Sequence, residues 1–348
     1  MIEIKDLSVE LRGFVLEDIN FEVQDGEYFV LLGHTGAGKT VLLDSIAGLK
    51  SLRSGQVIIN GNDVTLLNLE NRRIGFAFQD YSLYRHLSVR DNISFGLMWR
   101  KKSKQEIDES IDRAIELLGL GPLLDKRPFS LSGGESQKIA LARAIAIKPD
   151  LLLLDEPLSA VDPETKEDYE RELKDVHNQL RLTTIHVTHN FEEAITLGDR
   201  IAVLQGGHIE QIGTPEQIFR HPTSEFVARF TLTRNIFEGE VQDNSDGQSE
   251  FCVEGIKLGV ITNLRGRRYA SIRPEDIVIS KEPPSSNDTN SLSGTITRIT
   301  DRGTFINVTV DVPPKFTCLL LHRSLEELGL QEQQKVFLTI NKSKVNVF

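Results

Sequence analysis

The chain has 348 residues, 39% of them hydrophobic, enough to bury a sizeable core and to build two domains or more. A formal charge of −11, with a pI of about 5.3, excludes nonspecific nucleic-acid binding as its business. No run approaches the roughly 18 consecutive apolar residues of a membrane-spanning helix, and the opening MIEIKDLSVEL lacks a basic stretch followed by an apolar one, so no export signal is expected.

In chain order, MIEIKDLSVEL and LEDINFEVQDGEYFVLLG read as short strands with a turn at Asp25-Gly26. EYFVLLG is an apolar run ending in glycine, and HTGAGKTVLLDSIAGLK continues it as a helix closed by Gly48. GQVIINGNDV is a hairpin turning at Asn60-Gly61. Residues 86–130 hold amphipathic, charge-rich segments such as SKQEIDESIDRAIELLGLG, which predict surface helices. LSGGESQKIALARAIAI (131–147) predicts a buried helix that begins Ser-Gly-Gly, with Ser132 and Glu135 spaced as a capping box. DLLLLDEP and TTIHVTHN are apolar runs, each followed by a helix. This alternation predicts an α/β domain, a largely parallel sheet with helices on both faces. Beyond about 232 the texture becomes strand-like, with turn signals DNSDG and DRG and a polar loop or linker at 281–291, KEPPSSNDTNS. The expected domains are therefore 1–232, with a helical subdomain at about 86–150, and 233–348, an all-β barrel. Cys252 and Cys318 fit no metal spacing or disulfide framework and read as small buried hydrophobes.

GHTGAGKT, comprising Gly33, His34, Thr35, Gly36, Ala37, Gly38, Lys39 and Thr40, fits G-x-x-x-x-G-K-[ST] between a strand and a helix. Its glycines let backbone N–H groups converge on phosphate oxygens, Lys39 neutralises the β/γ charge, and Thr40 offers a hydroxyl to Mg²⁺. Asp155 and Glu156 stand at the end of a leucine-rich strand, where open α/β sheets bind ligands. One carboxylate suits the metal shell; the next can polarise a water toward the γ-phosphate. The two motifs together predict a nucleoside triphosphatase using Mg²⁺.

The loop, LSGGE and LLLLDEPLSAVD, in this order and spacing, resemble the ATPase subunit of an ATP-binding cassette (ABC) transporter over about the first 232 residues. That resemblance implies a P-loop NTPase with a RecA-like core sheet, an antiparallel β subdomain and a helical subdomain. It implies that Gln79 in FQDYSLYRHLSV senses the γ-phosphate, shares in the metal site and faces membrane subunits. It further implies that Asp162 in SAVD crosses a dimer and that His189 in HVTHN contacts the γ-phosphate. His186 and His208 carry no such implication and read as core or capping histidines. Ser136 and Lys138 stand where the family more often has Gln and Arg, and Val161 where it has Leu. The aromatic that stacks on adenine in the family aligns with Leu11, and Phe14 follows three residues later.

The absence of fused membrane helices, of an inserted coiled coil and of a second cassette leaves a separate importer subunit. RPEDIVIS (273–280) resembles the start of the OB-like regulatory (TOBE/Mop-like) domain of such importers. NSLSG, SLEELGL and a Lys-Ser pair resemble the molybdate/tungstate type, in which Ser324, Lys342 and Ser343 are the implied contacts of a regulatory oxyanion. Thr289 and Asn341 depart from that pattern. The resemblance implies a homodimer around two ATPs, with Ser132, Gly133 and Gly134 covering the neighbour's nucleotide. It also implies two permease subunits, an extracytoplasmic solute-binding protein, and a place on the cytoplasmic face of the membrane. Sulfate/thiosulfate, polyamine, iron or sugar import remains the alternative cargo reading. A soluble ATP-driven switch is the alternative class, with nucleic acid disfavoured as its partner because basic-aromatic interleaving is lacking.

Overall fold

The computed structural model describes residues 1–98, 103–159, 161–244, 247–283 and 289–348. Two compact units divide the chain, 1–215 and 216–348.

The first unit opens with β1 (Ile2–Leu11), β2 (Phe14–Val23) and β3 (Tyr28–Leu32), followed by α1 (Lys39–Ala47). Next come β4 (Ser54–Ile59), β5 (Asn62–Asp63) and β6 (Ile74–Ala77), then α2 (Val89–Ser94), α3 (Lys104–Leu117) and α4 (Gly133–Ala146). It ends with β7 (Leu151–Asp155), α5 (Pro163–Leu180), β8 (Thr184–Thr188), α6 (Phe191–Leu197), β9 (Arg200–Gln205) and β10 (His208–Gly213). The expected hairpin at 55–64 is present: Ile59 pairs with Asn62, and Asn60 and Gly61 both take the positive φ that such a two-residue turn requires.

Six strands form the central sheet in the order β10-β9-β3-β8-β7-β6, parallel from β9 through β6 and closed by antiparallel β10. Strands β3, β7 and β8 are buried along their whole length, which is why they read as unbroken apolar runs. One face differs from the expectation of helices on both sides. There Phe29, Leu31, Leu153, Ile185 and Leu204 share a core with α1 and with an antiparallel sheet, β2-β1-β4-β5. The opposite face carries Tyr28 against His177 of α5. Parallel strands end at the same edge, so the turns after β3, β6, β7 and β8 meet there.

Arg72 secures α1 from below. Its buried guanidinium donates to the carbonyls of Thr65, Leu67 and Ile46, each at 2.7 Å, and to that of Ser45 at 3.3 Å. A planar fork thereby satisfies carbonyls at the end of the helix that the phosphate loop begins.

The second unit holds α7 (Pro215–Arg220), α8 (Glu225–Phe230), β11 (Asn235–Asp243), β12 (Ser249–Val253), β13 (Ile256–Gly259) and β14 (Gly266–Ile272). After these come β15 (Ile277–Ser280), β16 (Thr289–Asp301), β17 (Ile306–Asp311), β18 (Lys315–Leu320), α9 (His322–Leu328), β19 (Lys335–Asn341) and β20 (Asn346–Val347). Two antiparallel five-stranded sheets, β13-β12-β11-β14-β20 and β15-β19-β16-β17-β18, enclose one core that includes Phe251, Leu258, Ile296, Phe316 and Leu338. Asn235 stitches them, donating to the carbonyls of Ile272 and Thr317.

Two expectations shift. The units part at 215/216, ahead of 232/233, because α7 and α8 are tied to the β unit: Arg273 donates to the Phe219 carbonyl and Asn346 to that of Pro222. Their helical texture concealed this. Of the polar stretch 281–291, residues 284–288 lie outside those described, and Thr289, Asn290 and Ser291 open β16, paired with Asn341, Ile340 and Thr339. Pairing with β19 overrides their polar composition. Both cysteines are free; burial pushes the Cys318 thiol up to about 12, whereas Cys252 is half-buried. Among the described residues no helix is long and apolar enough to cross a membrane.

Candidate functional site

The phosphate loop runs from β3, at the centre of the sheet, into α1. Two of its glycines are sterically required. A Cβ on Gly33 would lie 2.5 Å from the Leu204 carbonyl oxygen, and one on Gly38, at φ 105°, 2.5 Å from the Phe14 ring. Lys39, 6% exposed, donates to the carbonyls of Gly33 at 2.8 Å and His34 at 3.0 Å, curling its ammonium back over the loop. Burial lowers the Lys39 pKa, while the charges of Glu156 and Asp155 oppose that shift. The site thus sets one cation beside a glycine-rich loop and a helix N-terminus, a combination that suits phosphate.

Across the β3 and β7 edge, the Thr40 hydroxyl donates to Asp155 at 3.2 Å. Burial pushes the Asp155 carboxyl up to about 6; the Thr40 bond opposes this and the Glu156 charge adds to it. The folded state therefore favours the protonated acid. This contribution to stability is complete below the ordinary value of 3.8 and is lost as pH rises through about 6. Nucleotide-free Asp155→Asn should accordingly melt above the parent chain at about pH 8, with the gap closing toward pH 4, as thermal melts across pH would record. A buried carboxylate beside a hydroxyl is a hard oxygen pair that a divalent cation of the Mg²⁺ type would relieve.

Glu156 sits just beyond β7 in the left-handed region, φ 46°, a costly conformation for a long side chain. Its N–H donates to the Val187 carbonyl at 2.9 Å, which holds the turn in place. Its carboxylate accepts from Gln79 Nε2 at 3.4 Å and from His189 Nδ1 at 3.1 Å. The ends of β6, β7 and β8 thus bring Gln79, Glu156 and His189 onto one carboxylate, with Lys39, Thr40 and Asp155 beside it. A carboxylate flanked by an amide and an exposed imidazole can orient a water and register charge on an incoming phosphate.

Ser132 caps α4. Its hydroxyl accepts from the Glu135 N–H at 3.1 Å, and the Glu135 carboxylate accepts from the Ser132 N–H at 2.7 Å. That reciprocal bond lowers the Glu135 pKa. A Cβ on Gly134 would meet nothing within 4 Å, so packing within the chain does not explain this glycine. Ser132, Gly133 and Gly134 line a cleft together with Asp162 and Thr165 at the start of α5, and none of residues 33–40 lines it. The implied site residues therefore fall into two groups on one chain rather than one.

Phe14 packs against Gly38 of the loop, and Leu11 pairs with Phe14 at the β1–β2 hairpin tip. His186 is a fully buried core histidine, 2.9 Å from the Tyr28 hydroxyl, and His208 opens β10 at the surface. Ser324 lies on α9. Lys342 donates to Gln248 at 3.4 Å, and Ser343 donates to Asn341 at 2.9 Å. Ser343 lines a cleft with Arg220, Arg273 and Lys344, and neither Ser324 nor Lys342 lines it.

Arg143 went unnoticed in the sequence. From α4 it donates to the carbonyls of Ser82 at 2.7 Å and Tyr81 at 2.9 Å, residues that both hold positive φ just after Gln79. The available signal was a lone charge inside the apolar run IALARAIAI.

Comparison with known proteins agrees with this geometry. A family model described as "ABC transporter" matches residues 16–159, and one described as "TOBE domain" matches residues 286–347. The molybdate/tungstate import ATP-binding protein WtpC of Pyrococcus abyssi is 39% identical over 349 residues, 100% of both chains. WtpC of Thermococcus kodakarensis is 41% identical over 85% of this chain and 88% of its own. The sulfate/thiosulfate import ATP-binding protein CysA of Synechocystis is 38% identical over 99% of this chain and 94% of its own. Among solved structures, the dimeric post-hydrolysis state of the ATP-binding cassette MJ0796 with ADP and Pi aligns with TM-score 0.55 and 27% identity. That alignment covers 62% of this chain and 99% of the cassette. With the site geometry, these full-length relatives establish that the chain belongs to the ATP-binding subunits of ABC transporters.

Proposed function

We propose that the chain hydrolyses ATP to drive import of molybdate or tungstate, acting as a dimer that closes around two nucleotides. One observation carries the dimer: Ser132, Gly133, Gly134 and Asp162 line a cleft without any residue of the Lys39 loop. Each ATP then rests on Lys39 and Thr40 of one chain and under the amide-rich start of α4 of the other, where the helix dipole meets the γ-phosphate.

Glu156 takes the water proton, held in position by its anchored turn, while Gln79 and His189 read the γ-phosphate from either side. Thr40, Asp155 and Gln79 would hold Mg²⁺, which when bound neutralises charge shared by the β- and γ-phosphates. Removing the γ-phosphate removes the charge on which the second chain closes, so the dimer reopens. Permease subunits would dock at the cleft formed by Asp80, Leu83, Arg85, Pro128 and Ser136, where Phe129 stands 82% exposed. That cleft adjoins the Arg143-clamped segment after Gln79, and its use places the chain on the cytoplasmic face of the membrane.

The cargo reading rests on the full-length likeness to the two WtpC proteins. The test reconstitutes the chain with its permease and solute-binding protein in vesicles. Molybdate or tungstate should raise ATP hydrolysis and sulfate should not. Stimulation by sulfate alone would transfer the assignment to the CysA-like reading.

A further inference from the structure

Four buried polar atoms belong to side chains that line one small cavity beside β7. The hydroxyls of Tyr81 and Tyr169 and both amide atoms of Gln137 are sealed from solvent and have no hydrogen-bond partner among the described residues. Gln137 and Tyr169 are 3% and 4% exposed, and all three side chains line the same cavity, walled otherwise by apolar groups such as Ala77, Leu154 and Leu173. Protein interiors rarely leave buried hydroxyls and amides unpaired, because each then bears its full desolvation cost. A cavity with room for about one water and two to four polar neighbours meets the conditions for an ordered internal water.

We propose that this cavity binds a structural water that bridges Gln137 to the hydroxyls of Tyr81 and Tyr169. A water can accept from an amide N–H or hydroxyl and donate to an amide or phenol oxygen, so it suits this mixed set of donors and acceptors. The position matters more than the bond count. Tyr81 lies two residues beyond Gln79, Gln137 is on the helix that Ser132 caps, and Tyr169 is on the helix that starts after Asp162. The water therefore joins the three segments that carry the γ-phosphate reader and both residues facing the neighbouring chain. Two direct contacts frame it: Arg143 on the Tyr81 and Ser82 carbonyls, and the Lys138–Glu172 pair at 2.5 Å between α4 and α5. A water at the centre lets α4 adjust against the other two segments while every polar group keeps a partner.

The role rests on the ATPase reading; the water itself does not, so the two can fail separately. A crystal structure of the full chain should show an ordered water about 2.6–3.2 Å from Gln137 and from at least one tyrosine hydroxyl. Tyr169→Phe, which keeps the ring, should lower the melting temperature by about 2–4 °C. Combining it with Tyr81→Phe should be non-additive, because both act through one molecule. Direct pairing of Gln137 with a tyrosine, no density in the cavity, or a Tyr169→Phe chain that melts higher would overturn the proposal. The last outcome would mean that an orphaned hydroxyl had been removed.

Discussion

Glu156→Gln should lower the ATPase kcat by about 10²–10⁴-fold while leaving ATP affinity close to that of the parent. The amide keeps the side chain's length and can still meet Gln79 and His189, but it cannot accept the water's proton. The turn that holds residue 156 at φ 46° is fixed by a backbone bond to Val187, so the substitution leaves the geometry in place. Since ATP would bind and persist, the variant should accumulate a closed, nucleotide-loaded dimer. Phosphate release measured beside equilibrium ATP binding checks both halves. A rate within a few-fold of the parent would remove Glu156 from the role of base.

Gly134→Asp should be as damaging to turnover, about 10²–10³-fold, by another route. An aspartate there faces open space within its own chain and sits in the first turn of α4, where the helix dipole tolerates an acid, so folding should survive. The carboxylate would instead meet the γ-phosphate held by the neighbouring chain. ATP should therefore still enter the open Lys39 loop, while closure over it and hydrolysis fail. A variant that hydrolyses normally would show that the α4 terminus covers no nucleotide.

Much of this site was legible because its chemistry is local. The loop at 33–40 carries its own glycines and lysine, and the apolar run before Asp155 and Glu156 announces a buried strand ending at the sheet's edge. Gly134 is informative for the opposite reason: a side chain there would meet only open space, so packing in its own chain does not call for a glycine. What stayed hidden depends on residues distant in sequence. Arg143 clamps Tyr81 and Ser82 from 62 and 61 residues away, and Arg72 reaches back to Ser45 and Ile46. Side-chain-to-carbonyl bonds of this kind leave no periodicity. The antiparallel sheet beside α1 was legible only through the family resemblance, since alternation marked β1, β2 and β4 as strands without placing them as a second layer over the helix. The unit boundary was displaced because composition registers strands, whereas α7 and α8 are assigned by their bonds.

In the proposed dimer one chain supplies only half of each nucleotide site, and ATP retention through gel filtration in the Glu156→Gln background tests this most directly. Adding Lys39→Ala to one chain removes the phosphate cradle; adding Gly134→Asp to another removes the cover. Neither doubly substituted chain should retain ATP alone. Mixed, they should retain one ATP per pair, held by the Lys39 of one chain beneath the Gly134 of the other. Retention by the Gly134→Asp chain alone, or none in the mixture, would contradict a site built from two chains.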